Sequence, residues 1–252
     1  MKYLLTCSAW LESIAKNEII KQGWIIAEVK DRLVFFEWEI DLMAKVNLWS
    51  RVWNKLYLVL AEEKNVNTFD KLYDLVWIVN WKKYLQKDYP ILVKATSIKS
   101  ALTSTPALQK ITKKSIIDKL TNKSWENVFE NMDKPEIEIL SFLIEDYSYI
   151  LLNTSWDTLY KRGYRIDSWE APIKESLAAW LVLLSNWKFS ENFYDITCWS
   201  WTIAIEAVLL ARNVAPWIGR RFAFENRNFV PEDLMNNEVE FAKWKIYKNC
   251  HI

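Results

Sequence analysis

Residues 194–207, YDITCWSWTIAIEA, read as the end of a β-strand, a tight loop and the first turns of a helix. A strand, loop and helix in that order form the opening unit of a doubly wound α/β domain. Where such a loop meets a nucleotide-type ligand it usually needs glycine, for positive φ and for close backbone approach. Here the loop carries Trp199 and Trp201.

Composition sharpens that conflict. The 252 residues include 16 Trp and only 3 Gly, against a usual glycine share of about 7%. Apolar residues make up 51%, charged residues 26%, and the net charge is +1. This predicts a chain with a sizeable core, organised as about two domains. No apolar run approaches the roughly 18 residues of a membrane span, and MKYLLTCSAW leads into polar helix, so no signal peptide is expected. Cys7, Cys198 and Cys250 are too few and scattered for a disulfide framework or a metal site. The sole histidine is His251, which argues against histidine-based triads and metal centres. The expected compartment is the cytoplasm, with no membrane and no metal.

The first half alternates short strands and helices. LESIAKNEIIKQG (11–23) reads as a helix, RLVFFEWE (32–39) and KLYLVLAEEK (55–64) as strands, and TFDKLYDLVWIV (68–79) as a helix capped by Thr68. YPILVKATSI (89–98) reads as a strand behind a Pro, and TPALQKITKKSIIDKL (105–120) as a helix with Pro in its first turn. EIEILSFLIEDYSYILLNTS (136–155) reads as two strands meeting at a polar turn around Asp146–Ser148. These form an α+β module of small βαβ-like units ending near Ser155. Beyond 156 come a long helix over 171–187, a strand NFYDI (192–196) and a helix over 202–213.

Three linked motifs then resemble the THUMP-domain class I methyltransferases that act on guanine of large-subunit ribosomal RNA. That family's loop reads Asp-Pro-x-Cys-Gly-Ser-Gly-Thr followed by Ile-Glu-Ala. Here Asp195, Thr197, Cys198, Ser200, Thr202, Ile205, Glu206 and Ala207 match, while Ile196 replaces the Pro. LYKRGYRIDSWEAPIKESLAA (159–179) resembles the family's Lys-Arg-Gly-Tyr-Arg and Ala-Pro-Ile-Lys-Glu segments, and ARNVAPWIGRRFAFE (211–225) its Ala-Arg-Asn-Ile-Ala-Pro-Gly. VKATSIKSALTS (93–104) extends the likeness into the first half.

The resemblance implies an α/β chain in three parts. These are a ferredoxin-like segment over 1–50, a THUMP RNA-binding domain over 51–155 and the first part of a Rossmann-like methyltransferase domain over 156–252. It implies S-adenosylmethionine as cofactor, held by Asp195, Thr197, Cys198, Trp199, Ser200, Trp201 and Thr202, with Thr202 capping the helix. Cys198 lacks a histidine partner and reads as a small filler. The implied reaction is methyl transfer to a guanine exocyclic amine of 23S ribosomal RNA. The family's Asn-Pro-Pro-Tyr segment, which reads the target base, is not in this sequence, nor is the acidic residue that should hold the ribose. The expectation is therefore an incomplete methyltransferase domain, inactive by itself, and an unassigned catalytic residue. A non-catalytic RNA-binding protein stays open as the alternative. An NAD-type oxidoreductase lacks its Gly-x-Gly-x-x-Gly pattern.

Set against the family, Trp10, Trp24, Trp38, Trp53, Trp156, Trp169, Trp199, Trp201 and Trp217 fall where glycine is expected or plausible, whereas Trp49, Trp81 and Trp187 do not. This pattern implies a gene that reads UGA as glycine, written with a code that gives Trp. Exchanging the 13 Trp other than those three would raise glycine from 3 to 16.

RNA binding is expected of the first half. Residues 91–124 carry Lys94, Lys99, Lys110, Lys113, Lys114, Lys119 and Lys123 against Asp118 alone, an asymmetry suited to phosphate. A solvated lysine face is the ordinary alternative. Lys161, Arg162 and Arg165 of the KRGYR segment are counted with the RNA-binding residues, expected to line the path to the cofactor cleft, with plain surface as the alternative.

Overall fold

The structure is a computed structural model describing residues 1–8, 11–21, 26–121, 130–156, 158–159, 161–164, 173–196, 198, 200–225 and 227–247. The chain divides into two compact units. The first joins Met1–Leu56 to Asp157–Glu225 and Glu232–Ile252; the second comprises Tyr57–Trp156 and Asn226–Pro231.

The first unit opens with β1 (Lys2–Cys7), α1 (Glu12–Lys21), β2 (Ile26–Lys30), β3 (Leu33–Glu37) and α2 (Leu42–Trp49). β3 lies between β1 and β2, antiparallel to both, with Leu4 opposite Phe35 and Val29 opposite Val34. Leu33 to Phe36 are all buried, so this central strand is apolar on both faces. Ala15 and Ile19 of α1 and Leu42 to Ala44 of α2 complete the core. β1, β2 and α2 were not among the sequence expectations. Their apolar runs are short enough that periodicity does not tell strand from helix.

β4 (Trp53–Glu63) runs from the first unit into the second, which continues with α3 (Phe69–Trp77), α4 (Trp81–Tyr84), β5 (Ile91–Ile98), α5 (Thr105–Thr121), β6 (Ile137–Ile144) and β7 (Tyr147–Asn153). Thr68 caps α3 as expected, its hydroxyl accepting from Lys71 N at 3.3 Å. β6 pairs antiparallel with β7 and parallel with β5, and α5 forms the crossover that a parallel pair requires. β7 pairs antiparallel with β4 on its other side. The β6–β7 turn lies at Glu145 and Asp146, earlier than expected. Both are left-handed, with φ of 51° and 59°, the backbone of the primed turns that match strand twist. Tyr147 and Ser148 already belong to β7.

The rest of the first unit is helical among the described residues: α6 (Glu175–Leu184), α7 (Thr202–Ala211) and α8 (Leu234–Trp244). α6 is shorter than expected. Residues 171–172 lie outside the described ones, Lys174 is extended, and Asn186 turns left-handed at φ 51° just past the C-cap Ser185. The expected strand over 192–196 is not formed. These residues have no ladder partner among the described residues, and Tyr194 and Ile196 are 80% and 97% exposed. An extended segment becomes a strand only when its N–H and C=O groups find a neighbouring chain. No described helix is long and apolar enough to cross a membrane.

Candidate functional site

The loop into α7 is built by a turn and a hydroxyl pair. Trp201 N donates to Cys198 O at 2.6 Å, and the Ser200 and Thr202 hydroxyls lie 2.7 Å apart. Asp195 and Cys198 are half-buried beside it. Thr197 and Trp199 lie outside the described residues. Thr202 is not the cap: it is the first helical residue and is buried, and the N-cap position belongs to Trp201. Trp201 holds φ 57° and ψ 6°, makes no side-chain capping bond and is 65% exposed. That left-handed backbone costs an L-residue about 1–2 kcal/mol and costs glycine nothing comparable. The motif position where glycine was expected therefore has a glycine backbone.

The other tryptophans divide by geometry. Trp156 is also left-handed, at φ 68°. Trp49, Trp81 and Trp187, the three not read as glycine, donate their indole N–H to Glu238, Val76 O and Glu191 O respectively. Trp217 departs from the expectation: it is buried at 2% exposure and donates to Ser50 O at 3.1 Å, as a genuine core tryptophan does. Trp53 is equally buried, within β4, and Trp38 is not left-handed. Trp10, Trp24 and Trp169 lie outside the described residues.

Behind the loop, α7 carries one acid in an apolar run, Glu206, with no exposure. Its carboxylate takes the guanidinium of Arg162 and, at 2.9 Å, the hydroxyl of Tyr164. Arg162, expected on or near the RNA path, is thus enclosed, its side chain fully buried and spent on Glu206 and on the carbonyl of Arg51. A charge in such a place requires a partner, and Glu206 supplies it. Arg51 donates to Val214 O at 2.8 Å, and Glu18 faces it. Burial lowers Arg51 to about 10 and raises Glu18 to about 7, with the Arg51 cation opposing the second shift. Burial also raises Glu206, against the pull of Arg162. None of these partners was read from the sequence. The available signal was the lone Glu in TIAIEAVLLA.

A cleft of about 820 Å³ lies at the other end of α7, lined by Glu18, Arg51, Leu210 and Asn213 among others. It is not the cofactor loop. Burial pushes the Cys7 thiol up to about 12, with Glu12 and Asp31 adding to the effect, so this cysteine stays protonated and inert. No group of described residues could hold a metal ion.

In the second unit the lysines separate. Lys94 is paired with Glu138 at 2.6 Å and Lys113 with Glu130 at 2.9 Å, so both charges are balanced locally. Lys99, Lys110 and Lys114 are exposed and have no acidic partner among the described residues. Lys110 and Lys114 share the outer face of α5, four residues apart. In the first unit Lys161 is exposed, and Arg165 lies outside the described residues.

Comparison with known proteins gives these units relatives. Residues 2–57 match the RlmL ferredoxin-like domain, 66–153 the THUMP domain and 162–249 the RMKL-like methyltransferase domain. A Bacillus subtilis protein named "Putative RNA methyltransferase YpsC" is 36% identical over 95% of this chain and 63% of its own length. The tRNA (guanine(6)-N2)-methyltransferase of Methanocaldococcus jannaschii is 28% identical over 86% of this chain and 58% of its own length. The solved structure of "SMU.472, a putative methyltransferase complexed with SAH" superposes with a TM-score of 0.90 at 34% identity, over 100% of this chain and 66% of that one. The chain thus spans 58–66% of the length of these relatives. The matches run in order along the chain: a ferredoxin-like domain, a THUMP domain and an RMKL-like methyltransferase domain.

Proposed function

We propose that this chain binds S-adenosylmethionine at the 195–202 loop and RNA through its THUMP part, in the service of methyl transfer to a guanine exocyclic amine of ribosomal RNA. The observation that carries the reading is the left-handed backbone at position 201, opening α7 within a matching Asp195–Ala207 motif.

The residues present fit such a cofactor in their backbone. The first-turn N–H groups of α7 face out of the helix end, where anionic and polar ligand groups are favoured. Ser200 and Thr202 offer a hydroxyl pair beside it. The bulk of Trp201 does not fit; a glycine there does. When bound, the cofactor supplies an electrophilic methyl on its sulfonium. What this chain contributes is placement of that group and of the RNA, since oriented reactants account for much of the barrier to such a transfer. RNA is received on Lys99, Lys110 and Lys114, whose phosphate contacts position the strand without reading it.

Ribosomal RNA is the acceptor that the resemblance of the three linked motifs implies. Transfer RNA is the second reading, supported by the Methanocaldococcus jannaschii relative, which acts on tRNA guanine. The test is titration of S-adenosylhomocysteine into the chain carrying Trp199→Gly and Trp201→Gly, followed by labelled-methyl transfer to ribosomal and transfer RNA in parallel. Cofactor binding and RNA binding are expected of this chain, and methyl incorporation into ribosomal RNA once a segment that reads the target base is supplied. Incorporation into transfer RNA alone would replace the acceptor. RNA binding with no cofactor affinity would leave a non-catalytic RNA-binding protein.

A further inference from the structure

Arg51, in the ferredoxin-like segment, is tied to α7 at two places. Its guanidinium donates to Val214 O at 2.8 Å and Leu209 O at 3.4 Å, where the helix ends through left-handed Asn213. Its carbonyl accepts from Arg162 Nη2, while Arg162 Nη1 is paired with Glu206, one turn inside the N-terminus of α7. Tyr164 takes the other oxygen of Glu206. The helix is thereby held near its start and at its end by one connected set of groups, all within the first unit. Arg51 is 7% exposed and Glu206 not at all.

A buried ion pair is a weak stabiliser compared with apolar packing. What it does enforce here is register. Each Glu206 oxygen has its own donor, so α7 cannot rotate or slide without leaving a buried charge unpaired. The residues carried on the N-terminus of α7 are Ser200 to Thr202, the end of the cofactor loop.

We infer that Arg51, through the bonds of its guanidinium to the end of α7 and of its carbonyl to Arg162, is a positioning residue for the cofactor loop, so that the ferredoxin-like segment sets cofactor affinity. This rests on the cofactor reading above. On it, residues 1–56 supply the brace of the methyltransferase loop.

Native-state hydrogen exchange tests the brace itself. In the Arg51→Met chain, which loses the guanidinium ties and keeps the carbonyl one, amides 206–211 should exchange faster while those of β1 and β3, in the same unit, keep their protection. Arg51→Lys retains a cation facing Glu18 and should give an intermediate effect; it also serves if Arg51→Met does not fold. Equal acceleration across the unit, or none, would overturn the inference. Titration of S-adenosylhomocysteine tests the consequence, on the Trp199→Gly, Trp201→Gly chain. Adding Arg51→Lys should weaken binding roughly ten-fold, the scale of one lost bond to a charged group, and Lys243→Ala on the exposed face of α8 should not. No binding by the parent chain would sink the cofactor reading and leave the exchange result to decide the brace. Binding that ignores Arg51→Lys would sink the brace and leave the cofactor reading intact.

Discussion

Arg162 and Glu206 stand 44 residues apart in the chain and meet as an ion pair with both side chains fully buried. Removing one partner strands the other in a low-dielectric interior. Arg162→Met should therefore cost about 3–5 kcal/mol in chemical denaturation. Arg162→Met combined with Glu206→Leu should recover a large part of that loss, leaving mainly the Tyr164 hydroxyl and the Arg51 carbonyl without these partners. Additive single and double effects would mean that the two charges do not depend on each other.

Glu18 gives the first unit a pH-dependent stability. Its folded pKa of about 7 lies above the ordinary carboxylate value of 4.5, chiefly through burial. The folded chain therefore holds this proton more tightly than the unfolded chain, and protonation favours folding. The contribution is full below about pH 4.5 and is lost as pH rises through 7. Glu206 is shifted in the same direction. Unfolding free energy should fall by on the order of 1–3 kcal/mol from pH 5 to pH 8. Glu18→Gln, which still accepts from the Arg51 and Val52 N–H groups, should flatten that slope; an unchanged slope would exclude Glu18 as its source.

The legible parts of the fold were those with local signals. Thr68 announced α3 because a cap acts through its own neighbours. The β6 and β7 pair was visible because two apolar runs flank a polar turn. The strand over 192–196 was misread because strand identity depends on a distant partner, which no local pattern reports. The same holds at the site. The loop was legible as a motif and Trp201 as a glycine position, but Arg162 was placed near the surface because its partner lies 44 residues on. Arg51 and Glu18 have only long-range reasons for their places, and the burial of Trp217 is likewise tertiary.

The exposed lysines should carry the salt dependence of RNA binding. Lys110→Glu with Lys114→Glu removes two unpaired cations from one face of α5. The slope of log affinity against log salt should fall in magnitude by roughly 1.4–1.8, irrespective of RNA sequence. Lys94→Ala with Glu138→Gln removes a pair that is already neutral and should leave the slope unchanged. A salt slope that ignores the first pair of substitutions would move the RNA contact elsewhere.

Replacing tryptophan by glycine should separate positions that look alike in sequence. At 201 the side chain is mostly exposed and the backbone left-handed, so Trp201→Gly gives up little burial and relieves about 1–2 kcal/mol of backbone strain. Glycine's greater unfolded-state entropy returns part of that, roughly 0.5–1 kcal/mol. The net change should be neutral to mildly stabilising. Trp156→Gly, at φ 68° but with the indole only 37% exposed, should gain the same backbone relief and give up more burial, for a net change from neutral to mildly destabilising. At 217 the indole is buried and hydrogen-bonded to Ser50 O, so Trp217→Gly should cost about 3–5 kcal/mol or more. Thermal unfolding of the three variants makes the comparison directly. The gene should agree with it: UGA at codons 156 and 201, and UGG at 49, 81, 187 and 217. UGG at both 199 and 201 would overturn the glycine reading of the loop, and with it the fit of the cofactor. A strongly destabilised Trp201→Gly chain would do the same from the protein side, because it would show that the indole is part of the folded loop.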